Sequence, residues 1–173
     1  MIDRLRGDDL TTTLRRGLLA LAVLGIAGTT IELVFLRHWS SPTRLIVWPA
    51  IIALGIGLLL VAHRPSPGRV TAARGLAVMV LVIAVLGVAF HVHGNLEAGP
   101  LDKDYAAIWA SMSAIEQWWL AITGGVGPAP VLAPGVLGEI SLGLLLATVA
   151  HPASARSPVP AMTVARRLDE PST

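Results

Sequence analysis

Cysteine is absent from all 173 residues. That absence excludes disulfides, thiolate zinc sites, iron–sulfur clusters and CxxC redox chemistry. Any bound metal ion would have to be held by histidine and carboxylate. Charge is scarce as well. Only 14% of residues are charged while 54% are hydrophobic, too apolar for an ordinary soluble domain of this length. The formal charge of +2 says little about partners, and nucleic acid is excluded together with a soluble enzyme by the long apolar runs. No nucleophile–base pair and no phosphate-binding loop is visible, so a non-enzymatic role is favoured.

The apolar residues fall into four runs, at 17–36, 45–62, 75–92 and 131–150. A hydrocarbon core about 30 Å thick is crossed by roughly 20 helical residues, and each run approaches that length. Backbone in lipid must satisfy its own hydrogen bonds, and runs without period-2 alternation exclude a barrel. The expected fold is therefore all-α, a polytopic four-transmembrane-helix bundle. Residues 1–16 form a charged N-terminal segment, 17–152 the transmembrane domain and 153–173 a disordered tail, within which 161–168 has the composition of a short basic surface helix.

Lysine and arginine set the orientation. Ten of the thirteen lie in the N-terminal segment, the second loop and the tail, whereas the first and third loops hold only Arg37, Arg44 and Lys103. Both termini are thus expected in the cytoplasm. The Arg15–Arg16 pair resembles a twin-arginine export signal, but a run this long without a cleavage site reads as an anchor that stays. Thr11, Thr12 and Thr13 are candidate caps for the first span. Pro49 should kink or restart the second span beside Trp48. His63 and His151 read as interfacial residues at helix ends.

The outer loop at 94–130 is too long for a simple connector. Within it, 105–123 predicts an amphipathic helix capped by Asp102 or Asp104 and stopped by Gly124 and Gly125, with Ile108, Met112, Ile115 and Trp119 on one stripe. Glu116 and Gln117 argue against a fifth span, so the segment is placed in the outer interface. Trp39, Trp48, Trp109, Trp118 and Trp119 are the candidate residues of the lipid–water boundary.

The chemistry-bearing residues gather at the same end. Glu32 shares its face with Gly25, Gly28 and Thr29; Glu139 with Gly135 and Gly143; His91 with Ala84, Gly87 and Val88. Small residues mark faces where membrane helices approach closely, and ionisable residues in lipid persist only when paired, hydrated or protonated. Glu32, His91 and Glu139 are therefore expected to converge in a buried polar site beneath the outer surface, with His93, Glu97 and His38 at its mouth. If the third span continues past Gly94, His93 pairs with Glu97 and His91 shares a face with Asn95. Such a donor set suits a metal ion, a proton or cation, a quinone headgroup or another small ligand, and it equally suits an ion-pair network that fixes helix register. A b-type haem is disfavoured, since it needs two facing histidines.

The order Thr30-Ile31-Glu32-Leu33, Arg37-His38-Trp39, His93-Gly94-Asn95-Leu96-Glu97, Pro130-Val131-Leu132-Ala133-Pro134-Gly135 and His151-Pro152 resembles a family of small four-helix bacterial integral membrane proteins without a known activity. The resemblance implies four spans in a bacterial cytoplasmic membrane and brings no cofactor with it. Two functions follow from the whole reading. One is a ligand- or metal-binding site at the outer leaflet. The other is a non-catalytic accessory or scaffold subunit whose tryptophan helix meets a membrane-protein partner.

Overall fold

The computed structural model describes residues 2–149 and 151–155; most of the tail expected to be disordered, including 161–168, lies outside them. Among the described residues all regular structure is helical: α1 (Ile2–Phe35), α2 (Pro42–Leu45), α3 (Val47–Ala62), α4 (Pro67–Ala98), α5 (Ala114–Thr123) and α6 (Gly135–Thr148), with short 3₁₀ turns between them. Two stretches, Asp9–Phe35 and Pro67–Leu101, are long and apolar enough to cross a membrane. The other two apolar helices, α3 and α6, have 16 and 14 residues. At 1.5 Å per residue they reach about 24 and 21 Å, short of a full hydrocarbon core.

The shortfall has local causes. α2 and α3 are one apolar column split at Ile46, which itself keeps helical dihedrals (φ −59°, ψ −29°). Pro49 has no N–H to offer the Leu45 carbonyl, so the ladder loses one rung there while the chain direction persists. α6 is preceded by tight turns in which Gly135, Val136 and Leu137 donate to Leu132, Ala133 and Pro134. These i→i−3 bonds carry the column back to Val131 without α-helical geometry.

Two sequence expectations about boundaries are corrected. α1 runs through Thr11–Thr13 without a break, because the flanking leucines and arginines favour helix and the threonines lie in mid-helix rather than at a cap. The third span does not close at residue 92; α4 continues to Ala98, since nothing at Gly94 disrupts its ladder. α4 starts sharply, with Pro67 at its first position and the Ser66 hydroxyl accepting from the Arg69 N–H.

α1, α3, α4 and α6 lie side by side in alternating direction, with α4 against α6 and α3, and α1 against α6 and α3. Close approach rests on small residues. A Cβ added to Gly25 would sit 2.7 Å from Ile140 Cγ1, and one on Gly57 2.9 Å from Leu144 Cδ2. Around these crossings a core of Ala50, Leu54, Ala73, Ala77, Val80 and Leu144 is almost wholly buried. Alanine and glycine bring the backbones together, and leucine and valine fill what remains.

Candidate functional site

At the end of the bundle that holds His91, α4 projects beyond the packed helices and carries a second, smaller core built from Val92, Trp109, Ala121, Val126 and Val131. Here the end of α5 and the loop after it, through Pro130, are tied down by two side chains one turn apart on α4. Asn95 is fully buried; its amide donates to the carbonyls of Ala129 (2.9 Å) and Ala121 (3.2 Å), and its oxygen accepts from the Ala129 N–H (2.9 Å). Gly127, at φ +76°, lets the loop pass so close to Asn95 that a side chain would collide with it. His91 Nδ1 lies 2.8 Å from the Pro130 carbonyl. A carbonyl only accepts, so Nδ1 carries the hydrogen and neutral His91 keeps its Nε2 lone pair free.

His38 is held at the same end. α1 stops in a Schellman arrangement: Arg37 takes φ +48°, its N–H reaches Val34, and the His38 N–H reaches Leu33 at 2.9 Å. The His38 carbonyl then accepts from Trp48 Nε1 at 3.0 Å, and the Trp48 ring packs against Trp39. Burial, then the Arg44 guanidinium and then His91 hold the His38 imidazole below its ordinary value. The His91 imidazole is thus the weakest of the three influences on His38.

The three central residues do not converge. Glu32 and Glu139 are exposed and make no hydrogen bond or ion pair among the described residues, while His91 is half-buried and turned to Pro130. Nor do any three His, Asp or Glu side chains among the described residues come close enough to share a metal ion. Small residues misled the face assignment: Gly25 does pack on Ile140, but open space lies where Gly28, Gly135 and Gly143 would bear a Cβ. Those faces look outward. His93 Nε2 and Glu97 Oε1 do meet, at 3.2 Å, as an exposed i,i+4 pair.

The outer-loop helix is shorter than 105–123. It begins at Ala114, because Ser113 and Glu116 form a capping box that neither Asp102 nor Asp104 provides: the Ser113 hydroxyl accepts from the Glu116 N–H, and the Glu116 carboxylate accepts from the Ser113 N–H at 2.8 Å. These bonds hold the Glu116 carboxyl below the usual carboxylate range. Gly124 at φ +72° ends the helix. Ile108 and Met112 thus precede α5, leaving Ile115 and Trp119 of the expected stripe on it. Trp109 is buried against Gly99 and is no boundary residue, whereas Trp118 and Trp119 are exposed, Trp119 by 66%. With Met112, Ile115 (81% exposed) and Ile122 they line an open apolar groove of about 640 Å³.

The opposite end of the bundle contains what sequence reasoning missed. α3 and α6 both end there, and neither has a basic residue in its last turn. Neighbours supply the cations. Arg69 Nη1 donates to the His63 carbonyl at 2.9 Å; Arg15 Nε to Ala147 at 3.1 Å; Arg74 Nη2 to Thr148 at 2.6 Å and Nε to its hydroxyl at 3.0 Å. Each caps carbonyls that a helix leaves unpaired and meets the negative end of its dipole. His151, read as interfacial, is buried; burial, then Arg15 and then Arg74, hold its imidazole below the ordinary value. Its Nδ1 accepts from the Ala153 N–H at 3.2 Å, so the hydrogen of neutral His151 sits on Nε2. The run of arginines was legible in the sequence; the carbonyls they meet were not.

No family model, curated protein or solved structure matches this chain.

Proposed function

We propose that this protein is a four-span integral membrane protein that serves as a non-catalytic accessory or scaffold subunit of a membrane complex. α1 and α4 cross the bilayer, and α2–α3 and the 131–149 column complete the set, with the Arg15, Arg69 and Arg74 end on the cytoplasmic side of a bacterial inner membrane, in line with the resemblance noted above. One observation carries the functional reading. The buried polar side chains, Asn95, Ser141, Thr148 and His151, are all engaged with backbone or a neighbouring arginine, and among the described residues no buried side-chain polar atom lacks a partner. Interior polarity thus does structural work, while unpaired carboxylates and the apolar groove of α5 are turned outward, where a partner reaches them.

Orientation is checked by labelling, which the absence of cysteine makes clean. In intact cells a membrane-impermeant maleimide should modify Lys103→Cys and leave Pro65→Cys untouched until the membrane is opened; the reverse pattern overturns the topology. For function, the wild type purified in mild detergent should carry a second membrane protein, and Trp118→Ser with Trp119→Ser should leave the chain folded and abolish cross-linking to it; a wild type that carries none would also overturn the reading. Unchanged cross-linking would overturn the docking role of α5.

The electrostatic nearness of His38 and His91 favours a second reading, a small ligand or metal ion held by imidazoles at the outer mouth. Elemental analysis and an optical spectrum of protein purified in mild detergent separate the two. Stoichiometric metal or quinone, lost in His38→Ala with His91→Ala, would replace the scaffold reading.

A further inference from the structure

Resting on that reading, we propose that the outward face of α6 around Glu139 docks a transmembrane helix of a different protein that carries a lysine or arginine at mid-depth. Glu139 lies one turn into α6 and is exposed, as are Val136 and Leu142 on either side of it. The opposite face of the helix is spent: Ile140 packs on Gly25, Gly138 on Ala84 and Leu144 on Gly57. Where Gly135 and Gly143 would bear a Cβ there is open space, so a second backbone can come near the carboxylate. Within the hydrocarbon, an acid on this face without a partner is a site awaiting a cation.

A second copy does not supply one. Residues 17–35, 47–62, 75–98 and 131–149 hold no lysine or arginine. Because Gly138 meets Ala84, Glu139 lies about 10 Å below the level of His91, the first imidazole a copy offers. Self-association through this face would set carboxylate against carboxylate or against apolar side chains. Charge complementarity therefore selects a foreign helix with a basic residue.

The test uses the full chain, labelled through Lys103→Cys, in phosphatidylcholine vesicles. The probes are fluorescent leucine–alanine transmembrane peptides with a central lysine, leucine or glutamate. By energy transfer the lysine peptide should bind about tenfold more tightly than the leucine peptide, and the glutamate peptide should not bind. Glu139→Gln and Gly143→Leu should each abolish the preference, and Glu97→Gln, on the exposed outer pair, should keep it. Since Glu139 is exposed and makes no hydrogen bond or ion pair among the described residues, Glu139→Gln should melt like the wild type, which separates lost docking from lost folding. Equal binding of the lysine and leucine peptides, a preference that survives Glu139→Gln, or a peptide-free dimer dissolved by Glu139→Gln would each overturn the proposal. If it falls while the tryptophan variants still lose their partner, the accessory-subunit reading stands alone.

Discussion

Asn95 is the residue on which the smaller core around Trp109 and Val126 depends. Its amide makes one hydrogen bond to the last turn of α5 and two to Ala129 in the irregular loop that follows, and it does so with no access to solvent. A buried backbone group left without a partner costs roughly 1–3 kcal/mol. Asn95→Leu should therefore destabilise the protein by about 3 kcal/mol, read as a shift of the unfolding midpoint in detergent, and should free the Ala129 N–H to exchange. His91→Ala should cost less, because His91 is half-buried and makes a single bond. The i,i+4 spacing of these two residues was legible from the sequence. That both reach one loop, rather than a ligand, was decided by the return of the chain at 121–130.

At the scale of an element, α5 is a ten-residue helix whose start depends on one reciprocal pair. Isolated helices this short are marginal, so the cap carries weight beyond its size. Ser113→Ala should lower the local stability of α5 by about 1 kcal/mol, measurable as faster amide exchange in its first turn. Acid should act in the same direction. The folded pKa of Glu116 lies below its ordinary value of 4.5, so the native state binds fewer protons than the unfolded chain between the two values. The stabilisation is complete above 4.5 and is lost as pH falls through the folded value. In Glu116→Gln that acid-induced fraying of α5 should be absent.

At the scale of the whole molecule, the arginines at the end of α6 join helices that are distant in sequence. Arg74 on α4 and Arg15 on α1 both close the end of α6. Charge-assisted bonds of this kind contribute about 2 kcal/mol, so Arg74→Ala should lower overall stability by roughly that amount. It should also let His151 rise toward 6.5, because Arg74 is one of the groups that hold its pKa down. The sign of the pH effect follows. A folded pKa below the unfolded one means that the unfolded chain binds more protons between them, so stability rises with pH in that window. The His151 contribution is complete above 6.5 and declines as pH falls toward its folded value. Proton titration of His151 by NMR in wild type and Arg74→Ala checks both statements.

Composition and run length alone determined that the chain is helical and where its apolar columns lie, because backbone in apolar surroundings must pair with itself and Pro49, Pro67 and Gly124 punctuate the columns locally. They did not determine which side of each column faces in. Gly25 and Gly28 are alike as letters, yet one packs on Ile140 and the other meets nothing. That choice belongs to the crossings of α1 with α6 and α4 with α6, which turn Glu32 and Glu139 outward and His91 toward Pro130. Helix faces are periodic and local, whereas the direction of a neighbour is a property of the assembled chain, and only the tertiary structure supplies it.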